Sequence, residues 1–164
     1  MDNVILSAII SASVALLIAI INHFLVTPYR EKQIRRREQI STFYGPMYGI
    51  VSARLGVAND LPIGQKQLNL GTIKDKGFTE REYMESFLLN NAGYATNQLL
   101  EYGLLYVANI NKYDELLIYN FITTLVKDYN YLKKKTHMEY NKEELNTGIP
   151  ECVKHLREVY PKDF

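Results

Sequence analysis

From Val4 to Val26 the chain runs VILSAIISASVALLIAIINHFLV, twenty-three residues without one Asp, Glu, Lys or Arg. A helix that crosses the hydrocarbon core of a bilayer needs about 20 predominantly apolar residues. The stretch therefore narrows the chain to two plans, a membrane anchor or a soluble fold built around one buried apolar helix, and its length favours the first. A cleaved secretory signal needs a cationic start, a short apolar run and a small-residue cleavage site. Met1-Asp2-Asn3 carries no cation, and Thr27-Pro28-Tyr29-Arg30 follows the run. The expectation is an uncleaved single span over residues 1–27.

Flanking charge sets the expected orientation. Only Asp2 precedes the span, whereas Arg30, Lys32, Arg35, Arg36 and Arg37 follow it. Lys and Arg favour the cytoplasmic side. The N-terminus should face outward and the rest of the chain should lie in the cytoplasm, at a bacterial inner membrane. Arg35, Arg36 and Arg37 are expected to sit at the membrane surface against anionic headgroups. Residues 43–164 hold fourteen basic and fifteen acidic residues, so no broad basic surface argues for nucleic acid as a partner.

The apolar run is not uniform around its circumference. At about 100° per residue, Ser7, Ser11, Ala15 and Ala19, with Ala8 and Ala12, share one arc of roughly 140°, and Asn22 falls near its middle. Small residues let helix backbones approach in a membrane, and polar side chains bond across the interface. Ser7, Ser11, Ala15, Ala19 and Asn22 thus form a candidate self-association face, or the lining of a pore in a ring of many copies.

The remaining chain reads as all-α. Thr27 is placed to cap a second helix with Pro28 in its first turn, and residues 28–58 form a juxtamembrane segment. Ile34, Ile40, Phe43, Met47, Ile50 or Val51, and Leu55 make one apolar stripe, interrupted by Gly45-Pro46, where a kink or break is expected. Arg54 should be partly buried. Residues 59–78 read as a loop, within a cytoplasmic helical domain spanning 59–164. Thr79-Glu80-Arg81-Glu82 has the capping-box pattern, with Phe78 and Tyr83 as its staple. A helix over about 95–109 is apolar on several sides and should be central. The next, about 113–135, presents Leu117, Phe121, Leu125, Tyr129 and Leu132 and closes on Lys133-Lys134-Lys135, which suit the negative end of the helix dipole. A short helix from Asn141 to Gly148 and a last one from Pro150, carrying Val153, Leu156, Val159 and Tyr160, complete the domain.

No phosphate-binding loop, dinucleotide fingerprint, HExxH or GxSxG sequence occurs. His23 belongs to the span, and His137 and His155 lack partners at metal-ligand spacing, so neither metal nor cofactor is expected. The single Cys152 rules out an internal disulfide and is expected to be a small core residue.

The run Phe43-Tyr44-Gly45-Pro46-Met47-Tyr48-Gly49 resembles a motif of uncharacterised bacterial single-pass membrane proteins. The overall plan, one N-terminal span and a cytoplasmic helical domain, resembles the small membrane accessory proteins of type VI-B CRISPR–Cas systems. That resemblance implies a degenerate HEPN-like bundle and a membrane pore acting in antiphage defence. It further implies a homo-oligomer that has a CRISPR effector or another cytoplasmic protein as a partner. HEPN RNases carry an Arg with a His four to six residues on. Here the nearest match is Asn130 with His137, which lacks the fixed cation and implies a catalytically dead relative. The alternatives are a membrane-anchored interaction module and a membrane-tethered HEPN-like RNase.

Overall fold

A computed structural model of the protein describes residues 2–59, 77, 80–108 and 114–153. Every regular element among them is helical. Contacts divide the chain into two units, Met1–Arg36 and Arg37–Phe164. The boundary falls after Arg36, within the expected juxtamembrane segment 28–58. Residues 37–58 supply much of the second unit's core.

The first unit holds α1 (Asp2–Ile21), a π-helical turn over Asn22–Val26 and the start of α2 (Thr27–Gln39). Thr27 has helical dihedrals and its N–H bonds the Asn22 carbonyl five residues back. It is therefore not the expected cap, and helical structure continues through Pro28. The same device recurs further on. A π turn over Ile40–Tyr44 ends with the Gly45 N–H on the Ile40 carbonyl, directly before Pro46 in α3 (Gly45–Asn59). A proline inside a helix lacks a donor, and its ring presses on the carbonyl four residues back. One wide turn ahead of the ring takes up that conflict, so of the expected kink or break no break occurs. Gly45 permits the turn, because a Cβ there would lie 2.9 Å from the Ile40 carbonyl oxygen.

The second unit is organised on the end of α2, the π turn and α3. Ile40, Phe43, Met47, Ile50, Val51 and Leu55 are all buried, as their spacing predicts, whereas Ile34 is exposed. Arg54 is buried outright, one guanidinium nitrogen 3.6 Å from Met84 Sδ. Against this spine pack α4 (Arg81–Asn90), α5 (Asn97–Ala108), α6 (Glu115–Lys135), α7 (Lys142–Thr147) and a 3-10 turn at Glu151–Val153. From α6 come Ile118, Phe121, Ile122, Leu125 and Val126. Burying each such side chain contributes about 1.5–3 kcal/mol.

Local signals set the helix ends. Asp114 caps α6 by accepting from the Leu117 N–H. Asn141 caps α7 through the Glu143 and Glu144 N–H groups, and Gly148 ends it at φ +76°. A Cβ on Gly148 would lie 2.8 Å from the Thr123 carbonyl oxygen. The cap of α4 is Glu80, without a side-chain bond. Phe78 and Thr79 lie outside the described residues, as do 60–76 of the expected loop and 154–164 of the expected last helix. Asn59 still belongs to α3.

One expectation fails clearly. The 95–109 helix is not central, for α5 buries Leu99 and Gly103 while Leu104 and Leu105 are exposed. Its apolar residues lie on several sides, and only one of those sides meets α4 and α6. Cys152 is likewise exposed and not a core residue.

Candidate functional site: an apolar helix and two tyrosine–carboxylate clusters

In the first unit, Ser7, Ser11, Ala15 and Ala19 lie on the regular α-helix α1, which keeps their common face, and Asn22 opens the π turn. All five are exposed, as are Ile5, Leu6, Ile9, Ile10, Val14, Leu16, Leu17 and Ile18 around them. The helix is long and apolar enough to cross a membrane. Its one described side-chain hydrogen bond is internal, from Ser13 Oγ to the Ile9 carbonyl at 2.9 Å. Such back-bonding satisfies a hydroxyl where water is absent. Within the π turn, His23 and Phe24 meet edge to face at 5.0 Å. Arg35 and Arg37 are exposed and Arg36 is half-buried.

In the second unit the polar chemistry collects on two carboxylates. Tyr44 and Tyr48 sit one helical turn apart on the central helical stretch, and each reaches one of them. The Tyr44 hydroxyl donates to Asp128 Oδ2 at 3.2 Å and accepts the Thr96 N–H at 3.0 Å. Thr96 Oγ1 donates to the same carboxylate oxygen at 2.6 Å. Thr96 precedes α5, and its Oγ1 also accepts the Leu99 N–H at 3.4 Å. This cluster joins the start of α5 to α6 and the π turn. Burial, reinforced by the Asp128 charge, pushes the Tyr44 hydroxyl up to about 12, and burial raises the Asp128 carboxyl above its ordinary value.

The second cluster centres on Glu144, which is 5 % exposed. It accepts from Tyr48 Oη at 2.7 Å, Asn130 Nδ2 at 2.8 Å and the Glu151 N–H at 2.9 Å. A buried carboxylate persists only with such partners. Burial, followed by the bond to Glu144, raises the Tyr48 hydroxyl above its ordinary value. The ring of Tyr129 stacks on that of Tyr48 at 4.8 Å.

The two residues of the expected degenerate HEPN motif part company here. Asn130 is buried, its Nδ2 bonded to Glu144 and the Val126 carbonyl and its Oδ1 accepting the Asn141 N–H at 2.9 Å. It acts as a strut between α6 and α7. His137 is exposed just beyond α6 at φ +59°. No hydrogen bond joins the two among the described residues. His155 lies outside the described residues.

Nothing in the local sequence pattern marks Thr96, Asp128 or Glu144, and Tyr44 and Tyr48 stand out only within the Phe43–Gly49 run, without their carboxylate partners. One signal was available, since Asn130 stands among the apolar positions of α6, where an amide needs a buried partner. The cavity beside α7 and Ile149–Glu151 has a volume of about 20 Å³, room for roughly one water molecule and too small for a substrate. Among the described residues no three His, Cys, Asp or Glu side chains are grouped to hold a metal ion. No protein-family model, curated protein or solved structure matches the chain.

Proposed function

We propose that the protein is an oligomeric single-span membrane protein whose N-terminal helix is both anchor and assembly element. The carrying observation is that α1 exposes its apolar side chains on all sides. Water disfavours such a surface strongly, and a bilayer does not. The association face is the stripe of Ser7, Ser11, Ala15, Ala19 and Asn22. In a ring, that face lines a narrow polar path, and flux through it suits the antiphage role implied by the resemblance to type VI-B accessory proteins. The basic flank favours an N-terminus outside and the helical unit in the cytoplasm. Resistance of the cellular protein to alkaline carbonate extraction tests the anchor. Release into the soluble fraction contradicts it.

A second reading, an anchored module that recruits a cytoplasmic protein, is favoured by exposed Leu89, Leu104, Leu105 and Leu116 on the helical unit. Replacing residues 1–27 with an unrelated span preserves activity on this reading and abolishes it on the first. The nuclease reading loses support, because the amide of Asn130 is committed to Glu144 and Asn141.

A further inference from the structure

The C-terminal end of α6 carries three lysines in succession, and each lies over a tyrosine ring. Lys133 Nζ is 5.3 Å from the centroid of Tyr129, Lys134 Nζ 5.8 Å from Tyr140 and Lys135 Nζ 5.4 Å from Tyr131. Lysines here ordinarily serve the last helix carbonyls. In this helix that task is already done. The Leu132 carbonyl accepts from the Thr136 N–H, that of Lys134 from His137, and that of Lys133 from Met138 at 2.9 Å. Thr136 Oγ1 adds bonds to the Leu132 and Lys133 carbonyls. No ion pair engages the three ammonium groups among the described residues, although exposed Glu139 is near in sequence. Among the described residues, three cations thus crowd one helix end without an ion pair.

We infer that this end of α6 is a docking surface for an anionic lipid surface. The inference rests on the membrane reading above. Two features favour lipid over nucleic acid. A single-strand binder needs several free rings to stack bases, but Tyr129 is already stacked on Tyr48 and only Tyr131 is well exposed, at 47 %. In addition, Met138 is 44 % exposed beside the lysines. Cations flanking a tyrosine and an apolar side chain match the interfacial zone of a bilayer, where tyrosine sits at headgroup level and lysine meets anionic phosphate.

The test uses the full-length chain in lipid nanodiscs of phosphatidylcholine alone, or of phosphatidylcholine with phosphatidylglycerol, and reads amine acetylation residue by residue by mass spectrometry. Exposed Lys127 on the same helix is the internal control. In phosphatidylglycerol discs, Lys133, Lys134 and Lys135 should acetylate at least threefold more slowly than in phosphatidylcholine discs, with Lys127 unchanged and the difference lost at high salt. Equal rates in both discs, with the chain co-eluting with the discs, overturn the inference and leave the anchor intact. A chain that fails to co-elute with either disc overturns the anchor and the inference with it. Protection produced by a single-stranded oligonucleotide in phosphatidylcholine discs, and not by phosphatidylglycerol, assigns the patch to nucleic acid and overturns the lipid assignment.

Discussion

Asn130 and Glu144 meet inside the helical unit at 2.8 Å, and through that bond α6 holds α7 in place. The same amide accepts the Asn141 N–H, so the cap of α7 and its buried carboxylate share one anchor. Asn130→Ala leaves both groups short of a partner. A buried polar group left unsatisfied costs about 1–3 kcal/mol, so the variant should lose roughly 2–4 kcal/mol in denaturant unfolding. A loss below about 0.5 kcal/mol would show that the strut is not formed.

The cluster around Asp128 predicts a pH dependence of unusual sign. Burial raises the folded-state carboxyl above its ordinary value, so the folded protein binds this proton more tightly than the unfolded chain. Stability from this site therefore increases as pH falls from neutral through the raised value. Asp128→Asn imitates the protonated group. The stability of wild type relative to this variant should rise between pH 7 and pH 4, and a difference that stays flat or falls refutes the assignment.

Tyr44 gives a second, alkaline signature. Its hydroxyl ionises near 10 when unfolded and is pushed up to about 12 in the fold. The stabilisation it provides is complete below pH 10 and is lost as pH rises toward 12. In an ultraviolet titration the folded protein should show late-ionising tyrosines, and Tyr44→Phe should remove one of them. An unchanged curve argues against the buried bond to Asp128.

The turn after α6 carries a residue at odds with its backbone. His137 sits at φ +59° and is exposed, where glycine has no steric penalty. His137→Gly should raise stability by about 0.5–1 kcal/mol, read as a higher denaturant midpoint. Gly148→Ala is the converse. At φ +76° and against Thr123, it should cost about 1–3 kcal/mol.

Much of the helical plan is legible in the sequence because burial follows spacing. Ile40, Phe43, Met47, Val51 and Leu55 lie on one stripe, and Asp114, Asn141 and Gly148 mark helix ends by their own chemistry. The two prolines are legible only in part. They announce a helix start at Thr27-Pro28 and a kink or break at Gly45-Pro46, whereas the π turns that absorb both depend on hydrogen-bond register, which a residue pattern does not carry. The tyrosine–carboxylate clusters are also hidden, because Tyr44 and Asp128 are 84 residues apart and no local spacing couples them. Likewise, the apolar character of α5 says how much surface it offers and not how many neighbours it meets.

Within the span, Asn22→Leu replaces the polar centre of the association face with a side chain that lipid accepts. The variant should still enter the membrane, and ion flux through proteoliposomes containing it should fall at least tenfold relative to wild type. Unchanged flux shows that this face does not line the path.

The central claim is assembly through the apolar helix. The measurement that bears on it most directly is the protein mass of the detergent-solubilised full-length chain, by light scattering with the detergent contribution subtracted. Assembly through α1 gives one discrete mass of six or more chains, lowered by Asn22→Leu. A single chain in each micelle, for wild type as for the variant, would contradict it.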